Sequence, residues 1–207
     1  PKTFDFNDYR EMIPNLNNYY LSDKADGERC FAYFKDFKLY IITTTSVFTV
    51  ELNKNVPTAI LDCEVLNVKD KNPQLYAFDI LYWQKPTTKP ATEARIEIMN
   101  KAVKQLRIVY KNLEEKVQTR IKNKKDIAEM FNRKAMYPID GLIFTPVGRS
   151  TGKSKTRFST PHNYFDMIVY KWKPPEKQTI DFLVMECPKK LLGIKPYMPK
   201  EKHTLYF

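Results

Sequence analysis

Cysteine and histidine are scarce in this chain. Cys30, Cys63 and Cys187 stand far apart in apolar, strand-like surroundings, and the two histidines are His162 and His203. No C-x-x-C pair occurs and two histidines are too few, so a zinc site is excluded. An odd, dispersed set of thiols makes no disulfide framework; the three read as reduced core residues in a reducing compartment. No apolar run approaches the roughly 20 residues that span a bilayer, and the first residues do not read as a secretory signal, so no membrane partner is expected. Internal repeats are absent. Acidic residues are the minority charge, 24 against 35 Lys and Arg, for a formal net charge of +11. That excess suggests polyanionic partners such as triphosphates or nucleic acid; solubility alone is the other reading.

The 207 residues suffice for one large domain or for one domain and part of a second. A hydrophobic content of 43% with 14% aromatics supports a sizeable core. The chain opens at Pro1-Lys2-Thr3 without methionine, and it is expected to be a fragment of a longer polypeptide.

Residues 19–50 alternate apolar and polar types, with runs at Cys30–Phe34, Leu39–Ile42 and Val47–Val50, and predict antiparallel strands joined by short turns. Ala59–Val68 and Leu75–Tyr82 predict two more, the second apolar enough to be central. After the proline-rich break 84–90, Ile96, Met99, Val103 and Leu106 fall at helical spacing within 91–110, with Thr92 as a cap and the basic residues on a solvated face. A second helix is expected over 126–136, ended before Pro138. Strands follow at 139–145 and 166–173, separated by a basic loop over 147–163. A new strand pattern begins at Thr179, beyond a boundary placed near 174–178.

Five segments carry chemistry. The first is Lys24-Ala25-Asp26-Gly27-Glu28-Arg29, K-x-D-G-x-R, between two apolar strands. Its four fixed residues arise by chance on the order of once in several hundred chains of this length, so the weight falls on the segments that follow it. A lysine that attacks a phosphate must act as a free amine, and nearby cations, a metal ion and burial favour that form; Arg29, Lys171 and Lys173 are candidates for the cations. Gly27 is read as permitting a backbone conformation closed to other residues. A plain D-G surface turn is the alternative.

The second segment is Asp62-Cys63-Glu64-Val65. Its two carboxylates share a strand face inside an apolar run, where they suit a ribose hydroxyl or a divalent metal, or else lie at a solvated strand end. In the third, Tyr76–Tyr82, Asp79 interrupts an apolar strand and Phe78 points the other way, so at most one of the two lines a cleft; Phe78 could stack on a base or pack in the core. The fourth, Ile139–Pro146, places Asp140 at the mouth of a hydrophobic strand as a candidate metal ligand. The fifth, Tyr170–Pro174, puts Lys171 and Lys173 on one face, where a phosphate would relieve their repulsion or where they guard an edge strand. Residues 148–154 imitate a P-loop, but Val147 stands where the required glycine belongs, and the segment reads as a flexible basic loop.

Taken in order, the five segments resemble motifs I, III, IIIa, IV and V of the covalent nucleotidyltransferase superfamily, which holds ATP- and NAD-dependent DNA ligases, RNA ligases and mRNA-capping guanylyltransferases. The likeness runs from about Tyr19 to Met185. Pro138-Ile-Asp-Gly-Leu-Ile-Phe-Thr-Pro146 and Tyr170-Lys-Trp-Lys-Pro-Pro175 followed by Thr179-Ile-Asp-Phe182 are similar to the capping branch. The flavour is that of large cytoplasmic DNA viruses, asfarvirus-like or poxvirus-like.

The resemblance implies an α+β fold: a mainly antiparallel-sheet nucleotidyltransferase domain (ATP-grasp-like, of the ligase and capping type) over 1–175, then the incomplete beginning of a C-terminal OB-fold over 176–207. It implies that Lys24 forms a phosphoramidate with GMP taken from GTP and passes it to 5′-diphosphate RNA. Arg29 and Glu64 would hold the ribose, Phe78 would stack on guanine, and Lys171 and Lys173 would contact the α-phosphate. Asp140, with Glu64 close by, would ligate Mg²⁺ or Mn²⁺. Linked RNA triphosphatase and methyltransferase activities are implied, in the cytoplasm (viral factory or virion) for a viral protein and in the nucleus otherwise. The family completes its site with a basic motif VI on the OB-fold. No such segment follows Lys173, so GTP binding without the first chemical step is one expected behaviour. An ATP-dependent ligase and a non-catalytic RNA-end binding module are the competing functions. Thr43 to Thr45 and Lys171 are candidates for reading guanine.

Overall fold

In the computed structural model, which describes residues 1–3, 10, 13–66, 72–87, 92–147, 168–174 and 177, the elements follow in the order β1 (Lys2–Thr3), a 3-10 helix (Ile13–Asn18), β2 (Tyr19–Ala25), β3 (Glu28–Ile42), β4 (Val47–Leu66), β5 (Gln74–Trp83), α1 (Thr92–Leu106), β6 (Leu113–Glu115), β7 (Gln118–Arg120), α2 (Lys124–Asn132), β8 (Ile139–Pro146) and β9 (Tyr170–Trp172). The fold is α+β and dominated by its sheets. One sheet has the order β1-β9-β8-β2-β7 and the other β3-β4-β5-β6. Most pairings are antiparallel; β1 with β9 and β5 with β6 are parallel.

The runs expected as four short strands merge into the two long ones, β3 and β4, paired from Glu28↔Val65 to Ile42↔Val47. Register shifts at Phe34/Asp36 and Asp36/Lys38 break the ladder without ending it. Asp36 sits there at φ 54°, a left-handed conformation that aspartate tolerates better than most side chains. The central position expected for Leu75–Tyr82 is observed, since β5 lies between β4 and β6.

Two apolar clusters hold the sheets. The larger joins Phe34, Leu39, Ile41, Leu61, Leu75 and Ile80 of the second sheet to Met99, Ala102, Val103 and Leu106 of α1. Each such side chain contributes about 1.5–3 kcal/mol by leaving water. The smaller joins Tyr19 and Leu21 of β2 to Phe144, Tyr170, Ile121 and Met130. Helix α1 departs from expectation at one basic residue. Arg95 is not on a solvated face: it is 1% exposed and grips Asp79 of β5 through Nε at 2.9 Å and Nη2 at 3.1 Å. Removing one partner of such a buried pair costs roughly 3–5 kcal/mol. Thr92 opens α1 and donates its hydroxyl to Pro146 O at 2.7 Å, tying the helix to β8. Helix α2 starts two residues before the expected Asp126, because Asn123 and Asp126 form a capping box that satisfies its first free N–H groups.

The chain divides into two compact units, Pro1–Pro174 and Pro175–Phe207. The OB-fold expected over 176–207, the strand at Thr179 and the basic loop from Gly148 to Asn163 lie outside the described residues, as does Cys187. Cys30 and Cys63 are buried free thiols facing each other across β3 and β4.

Candidate active site

Lys24 lies near the C-terminal end of β2, opposite Gly141 of β8, while Ala25 pairs with Ile139. The register therefore skips Asp140, which has no partner on β2 and forms a bulge. The bulge turns its carboxylate onto Lys24: Nζ donates to Oδ1 at 2.8 Å and to Oδ2 at 3.0 Å. Lys173, just past β9, donates to the same Oδ2 at 2.7 Å. Side-chain exposures of 23% for Lys24, 13% for Asp140 and 32% for Lys173 leave the cluster open to a solute. Burial pushes the Asp140 carboxyl up, but hydrogen bonds from Lys173 and Lys24 outweigh it and hold the group below its ordinary value. The same contact with Asp140 raises the Lys173 ammonium.

Glycine is required here for space. A Cβ on Gly141 would lie 1.9 Å from Trp172 O, so any side chain would push β9, and Lys173 with it, off β8. At Gly27 a Cβ would come within 2.8 Å of Val65 O and of the Glu64 side chain. Its φ lies outside the left-handed region, so the expectation of a special backbone conformation is corrected: close approach of β4 excludes a side chain.

A second cluster covers one face of the other sheet. Arg29 is bound bidentately by Asp62, Nε to Oδ1 at 2.9 Å and Nη2 to Oδ2 at 2.6 Å, and this bond raises its pKa. Glu64, on the same face of β4, accepts from Lys116 Nζ at 3.4 Å. The ring of Phe78 gathers both cations, with Arg29 Cζ 5.9 Å and Lys116 Nζ 5.5 Å from its centroid. Register shifts in the β4–β5 ladder leave Phe78 between Ala77, opposite Cys63, and Asp79, opposite Asp62. Of the pair Phe78 and Asp79, Phe78 joins the site, while Asp79 is neutralised by Arg95.

The structure thus brings Lys24, Asp140 and Lys173 together, and Arg29, Glu64 and Phe78 together. Lys171 lies on β9 opposite Ile143 and Thr3, half-buried. Thr43 to Thr45 form the turn between β3 and β4, where the Thr43 hydroxyl accepts from Thr45 and Ser46 N–H groups. They sit at the end of β3 opposite from Arg29, which removes them as readers of a base held near Phe78. Lys116 is the residue that the sequence did not reveal. It stands beside Val117 between the short strands β6 and β7, its side chain is 4% exposed, and its 3.4 Å bond to Glu64 leaves an ammonium with three donors poorly satisfied. No group of three or more His, Cys, Asp or Glu side chains able to hold a metal occurs among the described residues. A hard cation such as Mg²⁺ commonly takes one or two carboxylates together with substrate phosphates and water. Asp140, a carboxylate that attracts both Lys24 and Lys173, fits that role, and Glu64, held by one 3.4 Å bond from Lys116, is a second carboxylate of the same kind.

The family described as mRNA capping enzyme, catalytic domain, matches residues 10–175. The chain is 31% identical over 209 residues to an African swine fever virus mRNA-capping enzyme and 30% identical to that of a second isolate, covering 96% of this chain in each case. It spans 22% of the length of these curated relatives. Among solved structures, Pmar-Lig_Pre aligns with a TM-score of 0.53 at 15% identity, over 84% of this chain and 46% of that one. A structure of Lig E DNA ligases aligns with a TM-score of 0.50 at 14% identity, over 84% and 66%. These two likenesses concern the fold.

Proposed function

Since the chain belongs to the mRNA capping enzyme catalytic-domain family, we propose that it is a GTP–RNA guanylyltransferase that carries GMP on Lys24. The observation that bears most weight is the placement of Lys24 and Lys173 on the two oxygens of one bulged carboxylate, Asp140. Two ammonium groups drawn onto one carboxylate become available to a triphosphate that displaces it. When GTP enters, its phosphates compete with Asp140 for the two ammonium groups. Lys24 Nζ gives up a proton to solvent and attacks the α-phosphorus. The N–P bond forms, the bond from that phosphorus to the bridging oxygen breaks, and pyrophosphate leaves. In the second step an oxygen of the terminal phosphate of 5′-diphosphate RNA attacks the same phosphorus, and the amine of Lys24 is restored. Lys173 and Lys171 neutralise charge that grows on the α-phosphate oxygens, a role that weighs more in a partly dry site than in water. The divalent cation that Asp140 could hold, Mg²⁺ or Mn²⁺, would add Lewis-acid polarisation of the phosphate when bound.

Recognition falls to the second cluster. Arg29 and Glu64 hold the ribose, and Phe78 stacks on the base. Lys116, a donor beside the Phe78 ring, favours guanine, whose O6 and N7 accept, over adenine, whose N6 donates. Residues 1–175 form the nucleotidyltransferase domain and 176–207 begin an OB-fold, a boundary supported by the division after Pro174. A longer polypeptide with triphosphatase and methyltransferase activities, working in the cytoplasm of infected cells, accords with the viral relatives and the share of their length that is matched.

The test is incubation with α-labelled GTP or ATP and Mg²⁺ in the absence of RNA, followed by denaturation. Label from GTP alone, lost in Lys24→Ala and reversed by pyrophosphate, is the expected result. Label from ATP alone would make the chain a ligase, and label from neither, with a longer polypeptide that carries the OB-fold also silent, would contradict the covalent step.

A further inference from the structure

Asp23, the residue before Lys24, is fully buried. A carboxylate in that position is costly unless its oxygens are taken, and both are. Tyr137 donates its hydroxyl to Oδ1 at 2.7 Å, and Arg133 pairs with Oδ2 through Nη2. Arg133 also interacts with the Tyr137 hydroxyl, so the three side chains form one cluster, while the Nε of Arg133 is buried without a partner among the described residues. The ring of Tyr137 packs against Tyr76 of β5 with centroids 4.3 Å apart, two residues before Phe78.

The segment from Arg133 to Pro138 is the stretch that leads into Asp140, and it is fastened on both sides of Lys24, to β2 and to the residue just past it. One fastening is the Asp23 carboxylate at position i−1. The other is the backbone, where Asp26 N–H donates to Pro138 O at 3.1 Å at position i+2. Between these two points lies the bulge that aims Asp140 at Lys24. A bulge has a skipped register and thus no ladder bonds of its own to fix its angle; the fastenings on either side fix it.

We propose that Asp23, Arg133 and Tyr137 are positioning residues that set the Lys24–Asp140 geometry from behind the strand and couple it, through Tyr76, to the strand that carries Phe78. This inference rests on the reading of Lys24 as the nucleophile, but its test does not use nucleotide. Tyr137→Phe removes one hydroxyl and keeps the ring stacked on Tyr76. The nucleotide-free chain is treated with a water-soluble acetylating reagent at neutral pH, and the rate at each lysine is read by peptide mass spectrometry.

A Lys24 nitrogen held in two bonds to Asp140 reacts slowly. Loss of one hydrogen bond to a charged group corresponds to a gain of about tenfold in the Lys24 rate, with the rate at Lys38, on the far part of β3, unchanged. Asp23→Asn is expected to go further, and Tyr137→Phe decides the matter if that variant does not fold. A Lys24 rate equal to that of the unaltered chain, or Lys24 and Lys38 rising together, would overturn the proposal. A chain that never takes up GMP would defeat the proposed function and leave this result standing.

Discussion

The two halves of the site hold their charges in different ways. On the first sheet, Lys24, Asp140 and Lys173 come from three elements, β2, β8 and the residue after β9, and two cations share one carboxylate. On the second, each cation has its own anion: Arg29 with Asp62, Lys116 with Glu64, Arg95 with Asp79. The anions of those pairs, Asp62, Glu64 and Asp79, stand on the neighbouring strands β4 and β5, whereas the first cluster depends on a bulge and on the close approach of β9 across Gly141. Carboxylates on neighbouring strands, each paired with its own cation, keep a surface in shape, which suits recognition. A cluster gathered from separate elements, in which two cations share one carboxylate, can exchange partners, which suits chemistry.

Three measurements would break or sharpen this contrast. The largest effect is expected from Asp140→Asn, which leaves two ammonium groups facing each other without a counter-ion. The rate of covalent GMP uptake should fall by roughly 10²–10³, while equilibrium binding of GTP, held by the second cluster, falls far less. An equal loss of both would erase the division of labour. Next is Lys116→Met, which should narrow the preference for GTP over ATP about tenfold, the size of a good base-edge contact, without slowing transfer from bound GTP. An unchanged preference would remove Lys116 from base reading.

The smallest effect concerns pH. The carboxyls of Asp140 and Asp126 are held below their ordinary values, Asp126 by the backbone N–H groups of Lys122 and Asn123. Their contribution to stability is complete above the ordinary carboxylate range and is lost as pH falls through the lowered values. The Cys30 thiol runs the other way. Burial pushes it from 9.0 to about 12, so its contribution is complete below pH 9 and is lost as pH rises toward 12. Melting temperatures followed across pH should form a plateau that drops at both ends. Alkylation of Cys30 in the folded chain at mildly alkaline pH would contradict the alkaline limb.

The motifs were legible in the sequence because each is local. Lys24, Arg29, Glu64, Phe78, Asp140 and Lys173 sit in short segments whose order carries the resemblance, and the strands that present them alternate clearly. The relations between segments were not legible. Nothing in Ile139–Pro146 announces that Asp140 is skipped in the register. Strands β6 and β7 have three residues each, too few for periodicity to show, and so Lys116 passed as one more lysine among many. Arg95 has the composition of a solvated face, and only its partner Asp79 draws it inward. Gly27 was read through backbone freedom, though what excludes a side chain there, as at Gly141, is the neighbouring strand.

The most direct test of the central claim is to map the modified residue. After incubation with GTP and Mg²⁺ and digestion at a pH that preserves phosphoramidates, peptide mass spectrometry should find GMP on Lys24 and on no other lysine. GMP on Lys116 or Lys173 with Lys24 unmodified, or AMP on Lys24 when both nucleotides are offered, would contradict the account.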